Sequence, residues 1–255
     1  MGAVEERRKF LKHEIPQEFM GFGSDQQLGV RPPLLQKGCP EGYGVIALPS
    51  PESLSVGRMP VIEAIRSRRS LRQYSDEPLT MEELSFLLWA TQGVRGISKG
   101  GVHTPRTVPS AGSRHPFETY VAVSRVADLE PGLYRYVPLS HQLCRLLSFD
   151  LDSRRRLIDA VLGQSFVGEA AVAFIWTAIP YRSEWRYSVR AHKVIALDAG
   201  HVCQSLYLSS EAVGAGACAI AAYDQELMDE FIGVDGLDEF TVYLAAVGKP
   251  RRKAL

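Results

Sequence analysis

The sequence is short of cysteine, has no net charge and contains no long uninterrupted apolar run, and each shortage removes a class of protein. Its four cysteines, Cys39, Cys144, Cys203 and Cys218, form no C-x-x-C pair and have no histidine at zinc-finger spacing. Neither a disulfide framework nor a structural metal is expected, and a reducing compartment fits best. Lys and Arg number 29 against 29 Asp and Glu, so the basic excess that drives non-specific binding to phosphate backbones is missing and nucleic acid is not an expected partner. The longest mostly apolar stretch, Ala170 to Ile179, is too short to span a bilayer as a helix. The first residues, MGAVEERRKF, are charged where a secretory signal is apolar, and Glu6 stands where a myristoylation signal has Ser or Thr. No membrane anchor is expected, and the chain reads as cytoplasmic. Also missing are a G-x-S-x-G elbow, a Walker A loop, an H-E-x-x-H helix and any internal repeat.

What is present is an ordinary globular composition, 45% hydrophobic and 23% charged over 255 residues, enough to bury a sizeable core without covalent staples. Residues 1–57 are rich in Pro, Gly and polar residues without sustained periodicity and read as an extended arm. Residues 58–255 carry a dense pattern and read as one domain. Val61, Ile62 and Ile65 mark one face of a short helix running out near Arg68, with extended chain after it. Thr80-Met-Glu-Glu83 has capping-box spacing ahead of the stripe Leu84, Leu87, Leu88, and Gly93 supplies a stop. Phe117 to Val123 reads as a strand, residues 132–146 as a hairpin turning at Pro138 to His141, and Ala171 to Ala178 as a central strand buried on both faces. Ser153 is placed to cap a helix. Another helix runs from Ala191 to Val213, apolar most of the way round and therefore expected in the core. Asp224 can cap one more helix, ended by Gly233, before a last strand from Phe240 to Val247. Irregular alternation with one hairpin favours α+β.

Three constellations could carry chemistry. In extended chain Arg68, Ser70 and Arg72 point the same way, presenting two guanidinium forks and a hydroxyl to one object. A phosphate dianion is the natural match; the plain alternative is a solvated basic turn. Pro109-Ser-Ala-Gly-Ser-Arg-His-Pro116 is a loop of small residues that lets a flat ring approach the backbone, or else a flexible surface loop whose Arg114 and His115 are merely solvated. Gly214 to Ala219 satisfies G-x-G-x-x-A, yet it follows a helix instead of a strand, so a dinucleotide fingerprint fails and Gly214 is better read as a helix stop. His201 and Gln204 sit on the long helix and are read as satisfying neighbouring polar groups. Trp89, Trp176 and Trp185 are read as core or interface.

In order, RRSLRQY, PLTMEELSFLLWATQG, PSAGSRHPFETYVAV, GLYRYVPLSHQL, GQSFVGEAAVAFIWTA, RYSVRAHKVIALDAGHVCQSLYL and GACAIAAYDQELMDEFIGVDG with VGKP resemble the FMN-dependent nitroreductase family, most closely its SagB/ThcOx-type dehydrogenase branch, over roughly Met59 to Pro250. The resemblance implies an α+β fold with a mixed, mostly antiparallel sheet flanked by helices, and a homodimer with FMN at the subunit interface. It implies that Arg68, Arg69, Ser70 and Arg72 bind the phosphate and ribityl end, with Arg251 or Arg252 as a C-terminal basic ligand. Pro109, Ser110, Ala111 and Ser113 would approach the flavin from the partner subunit, Gln164 would contact the ring, and Ile220, Ala221 and Ala222 would run along it. Ser113 replaces an asparagine common in the family and Ala221-Ala222 a Glu-Gly, which removes polar groups near the ring and counts against nitroaromatic turnover. The implied activity is hydride transfer through the flavin, with NADH or NADPH as a donor and no side-chain nucleophile. Azoline dehydrogenation in a modified peptide and FMN binding without turnover are the competing readings.

Overall fold

A computed structural model describes residues 2–12, 21 and 23–251. Seven strands form one sheet: β1 (Val45–Ala47), β2 (Phe117–Val123), β3 (Gly132–Val137), β4 (Gln142–Ser148), β5 (Val172–Ala178), β6 (Gly216–Ile220) and β7 (Phe240–Gly248), in the order β1-β4-β3-β2-β5-β7-β6. Every pairing between these strands is antiparallel. β5, the continuous apolar run, lies between β2 and β7 and is buried along its whole length.

Helices cover both faces, so alternation along β2 sends side chains into two cores. Phe117, Val121 and Val123 join Leu84, Leu87 and Leu88 of α3 (Met81–Gln92) and Val202, Cys203 and Leu206 of α7 (Ala191–Ala212). Tyr120 and Ala122 join Leu157 of α4 (Leu151–Ala160) and Met228, Phe231 and Ile232 of α8 (Gln225–Ile232). Each such large side chain, fully buried, contributes about 1.5–3 kcal/mol. The remaining helices are α1 (Ala3–Arg8), α2 (Val61–Ser67), α5 (Ser165–Glu169) and α6 (Tyr181–Tyr187).

The helix signals hold with one shift. Thr80 Oγ1 accepts the Glu83 N–H at 3.2 Å and the Glu83 carboxylate accepts the Thr80 N–H at 2.9 Å, closing the expected capping box. At Gly93 a Cβ would fall 2.3 Å from the Trp89 ring, so only glycine lets the chain leave α3 there. The cap of α4 is Asp150, whose carboxylate accepts the Ser153 N–H at 2.9 Å, and not Ser153 itself. Both residues are good caps; the helix starts three residues earlier because Asp150 occupies the extended position that caps require.

Two expectations are corrected. α7 is not surrounded by core: Ala196, Leu197, Gly200, His201 and Gln204 form an exposed stripe opposite its buried face. His201 and Gln204 therefore do not sit inside the protein. Leu197 on this stripe is 55% exposed, and on α2, packed against α7, Val61, Ile62 and Ile65 are 66%, 54% and 59% exposed.

The cysteines are also not all free. Cys39 and Cys144 form a disulfide across a sequence separation of 105, with Cα atoms 5.6 Å apart, while Cys203 and Cys218 stay reduced and buried. No spacing rule reaches across 105 residues; the pairing exists because the N-terminal segment lies along the sheet. β1 pairs with β4, and buried donors beneath take the segment's carbonyls. Trp185 Nε1 donates to Val30 O at 2.8 Å, Arg182 to Leu34 O at 3.0 Å, Arg106 to Leu35 O at 3.3 Å, and Arg135 to Gly38 O. Arg182 also pairs with Glu118 at 2.5 Å with side chains only 2% and 1% exposed, and Glu118 accepts the Lys37 N–H at 2.8 Å. A buried pair of this kind needs every donor and acceptor satisfied, and residues 34–38 supply part of that. Among the described residues no helix is long and apolar enough to cross a membrane.

Cross-linking across so long a loop should stabilise the fold by about 2–4 kcal/mol. Cys39→Ser should lower the unfolding free energy in denaturant titration by that amount, and reductant should bring the parent down to the variant. Coincident unfolding curves of the oxidised parent and Cys39→Ser would show that the bond does not contribute.

Candidate functional site

The site begins at the free edge of the sheet. β6 is the last strand, and its outer side is covered by the extended chain leaving α2: Ser70 forms a parallel bridge with Ala217, and the Leu71 N–H donates to Ala217 O at 2.9 Å. This parallel contact makes the otherwise antiparallel sheet mixed and blocks an exposed edge. Leu71 packs where a Cβ on Gly216 would be, 2.6 Å from Leu71 Cδ2, so Gly216 is needed for the close approach.

With Leu71 turned inward, its neighbours face outward. The Arg68 guanidinium lies 5.4 Å from the centre of the Tyr207 ring, and that of Arg72 lies 5.9 Å from the Phe166 ring. The Ser70 and Tyr207 hydroxyls are 2.9 Å apart, and the Tyr207 oxygen accepts the Ala219 N–H at 2.8 Å, tying the Arg68–Arg72 chain to β6 through α7. Arg69 is exposed and joins no contact in this cluster. Among the described residues no carboxylate pairs with Arg68, Arg69 or Arg72. Unpaired forks held by aromatic faces beside a hydroxyl are a donor set suited to a phosphate dianion.

The segment after β6 lies beside this cluster. Ile220 is buried, Ala221 and Ala222 are exposed, and Gln164 Nε2 donates to Ala222 O and Val161 O, both at 2.9 Å. The Gln164 carboxamide nitrogen is thus spent on the backbone, leaving its oxygen for other contacts. At the C-terminus Tyr74 bridges Pro250, and the Arg251 N–H reaches Gln73 O at 3.4 Å, which puts Arg251 next to the Arg72 segment. Arg252 lies outside the described residues.

The loop from Pro109 to Ser113 is not brought to this cluster. The Ala111 N–H donates to both Asp198 carboxylate oxygens, at 3.1 and 3.3 Å, and the Ser110 hydroxyl also bonds this carboxylate. Burial raises the Asp198 carboxyl above the usual range, against the opposing hydrogen bonds from Ser110 and Ala111. Asp198 and Tyr207 are nine residues apart on α7, about 13 Å along the axis and half a turn out of phase. Loop and arginine cluster therefore contact opposite sides of one helix. Gly112, Ser113 and His115 have φ of 58°, 52° and 47°; for the two non-glycine residues this costs of order 1–3 kcal/mol each.

Arg114 and His115 are not solvated, as a small-residue loop suggested. Both are buried, Arg114 with its guanidinium 4.8 Å from the Trp185 ring and its Nε donating to Arg182 O at 2.6 Å. Burial, with Arg106 nearby, pushes the His115 imidazole down to about 3.

Three residues were not singled out in sequence. Tyr207 and Phe166 meet their partners only through the tertiary fold, Tyr207 lying 137 residues from Ser70. Asp198 carried a signal: it is an acidic residue in the buried stripe of Ile195, Ala199 and Val202. A cavity of about 550 Å³ beside Trp89, Arg95, Tyr136 and His141, and one of about 440 Å³ beside Phe86, Trp89, Arg95 and Leu208, include none of Arg68, Ser70, Arg72 or Pro109 to Ser113 in their linings.

Comparison with known proteins gives one consistent result. A family model described as the nitroreductase family matches residues 65–249. A Methanocaldococcus jannaschii protein provisionally named nitroreductase MJ1384 is 34% identical over 202 residues, covering 75% of this chain and 95% of its own length. The trifolitoxin-processing protein TfxB of Rhizobium leguminosarum bv. trifolii is 30% identical over 139 residues, covering 53% of this chain and 37% of its own. Among solved structures, one provisionally named a nitroreductase from Ralstonia eutropha JMP134 superposes with a TM-score of 0.65 at 28% identity, covering 88% of this chain and 96% of that one. A chain of the Escherichia coli microcin synthetase McbBCD complex shares the fold, with a TM-score of 0.60 at 18% identity, over 96% of this chain and 87% of that one.

Buried and neutral in the fold, His115 takes up a proton on unfolding once pH falls below its ordinary value of 6.5. Its contribution is complete above pH 6.5 and is lost as pH falls towards 3, at up to about 1.4 kcal/mol per pH unit. His115→Gln should flatten the pH dependence of unfolding free energy by that slope between pH 6.5 and 3.5. An unchanged slope would show that His115 titrates normally in the fold.

Proposed function

The chain belongs to the nitroreductase family of oxidoreductases, and on that premise we propose that it is an FMN-dependent enzyme whose complete site is shared by two copies of the chain. The observation that carries this reading is the set of unpaired guanidiniums of Arg68 and Arg72, fixed beside Ser70 at the covered edge of β6. Arg68, Ser70 and Arg72 hold the phosphate end, with Arg251 alongside and Arg69 adding positive charge. Ile220, Ala221 and Ala222 lie along the ring with Gln164 at their side. Bound FMN supplies hydride exchange between NADH, NADPH or an organic donor and a small-molecule acceptor.

The residues of the chain bind and orient. Arg68 and Arg72 neutralise the phosphate without losing charge to a competing carboxylate, and Tyr207 keeps Ser70 and the Ala219 amide in register. Pro109, Ser110, Ala111 and Ser113, on the opposite side of α7, belong to the site of a second copy; this supports a homodimer in which the exposed stripe of α7 and Val61, Ile62 and Ile65 are covered. The small side chains of that loop admit a flat ring close to the backbone.

A second reading, dehydrogenation of azoline rings in a modified peptide, is supported by the partial match to a trifolitoxin-processing protein. Anaerobic addition of NADH or NADPH to the FMN-loaded protein separates the readings. Bleaching of the flavin supports the nicotinamide-linked enzyme; bleaching only by a thiazoline or oxazoline peptide supports the second; retention of the yellow colour with every donor indicates binding without turnover. Arg72→Ala should weaken FMN binding about ten- to a hundredfold, the worth of one charged hydrogen bond of roughly 1.5–3 kcal/mol. An unchanged affinity, measured by fluorescence titration of FMN, would remove Arg72 from the site.

A further inference from the structure

We propose that Asp198 is a positioning residue that holds the 110–115 loop in the conformation it presents to the ring, an inference that rests on the flavin reading given above. Asp198 is 3% exposed and sits on the buried side of α7, and its carboxylate takes the Ala111 N–H and the Ser110 hydroxyl. The Ser110 oxygen in turn accepts the His115 N–H at 2.9 Å. One carboxylate thus secures both ends of a segment in which Gly112, Ser113 and His115 all have left-handed backbone.

The need for such an anchor follows from the segment itself. Left to local preference, Ser113 and His115 would abandon positive φ, and the loop would flatten away from its present path. Gly112 has no such penalty, but a Cβ there would lie 2.6 Å from the Tyr187 hydroxyl, so the loop is pressed against α6 and has little room to take another course. Asp198 also keeps its partner set local: His201, one turn on, approaches it at 3.6 Å from the exposed side. The carboxylate contacts neither Arg68, which meets Tyr207 on the other side of α7, nor Arg72, which lies against Phe166 of α5. Removing it should therefore disturb the ring environment and leave phosphate affinity alone.

The test uses Asp198→Ala, with Asp198→Asn as the conservative variant that keeps one accepting oxygen and guards against loss of folding. Hydrogen–deuterium exchange of the flavin-free protein should show the amides of residues 111–115 exchanging at least tenfold faster in Asp198→Ala, with a smaller rise in Asp198→Asn and unchanged exchange across α7. The absorption band of bound FMN should shift in Asp198→Ala while the dissociation constant for FMN stays within about threefold of the parent. Unchanged exchange at 111–115 in both variants would overturn the proposal, as would faster exchange along all of α7, which would mark a general packing role. Faster loop exchange with an unmoved flavin band would also overturn it, because the loop would then not address the ring. If the parent bound no FMN, the flavin reading itself would fail, and the exchange result would still report whether Asp198 holds the loop.

Discussion

Tyr207 and Asp198 hang from one rigid helix half a turn out of phase, and this spacing governs what the rest of the site can do. Tyr207 secures the arginine-bearing chain at the β6 edge, while Asp198 secures the small-residue loop. A helix cannot twist by half a turn to bring the two together without breaking its own hydrogen bonds and the core it packs against. Within one chain the two halves stay apart; under the shared-site reading proposed above they would meet only where a second copy brings its loop to the first copy's arginines. Leu197 on the exposed stripe of α7 and Val61, Ile62 and Ile65 on α2 would give such a pairing apolar surface to bury.

The cluster at β6 shows how an edge strand can be turned to use. An uncovered edge invites aggregation, and the chain from Arg68 to Arg72 covers it, with Leu71 filling the space that Gly216 leaves. The same alternation that buries Leu71 sends Arg68, Ser70 and Arg72 outward. At the other edge β1 caps β4, and the chain before it rests on buried arginines that donate to its carbonyls, with a disulfide closing the contact. The open cluster at β6 and the structural closure at β1 thus draw on the same residue type, and the difference lies in whether a carboxylate or carbonyl partner is already present.

Local signals carried most of the fold. The Thr80–Glu83 box, the Asp224 cap, the apolar run of β5 and the hairpin turn at Pro138 to His141 each act over a few residues and could be read directly. Long-range contacts could not. The Cys39–Cys144 bond, the burial of His115 and the Tyr207–Ser70 contact depend on segments that meet only after folding. The apolar circumference of α7 was legible but its meaning was not: Leu197 looks like core in sequence and is exposed in the single chain, because periodicity records that a face is apolar and not which molecule covers it. The shared outward direction of Arg68, Ser70 and Arg72 was legible because extended chain with a period of two was legible; Asp198 was passed over because a carboxylate in an apolar stripe has no partner visible in sequence.

The central claim is that the cofactor site exists only in the dimer, so cofactor and association must be thermodynamically linked. Size-exclusion chromatography with light scattering and flavin absorbance, run on FMN-loaded protein across a dilution series, measures both at once. The account predicts that flavin absorbance leaves the protein peak in step with the fall from dimer to monomer mass. A stable monomer that retains stoichiometric FMN would contradict it.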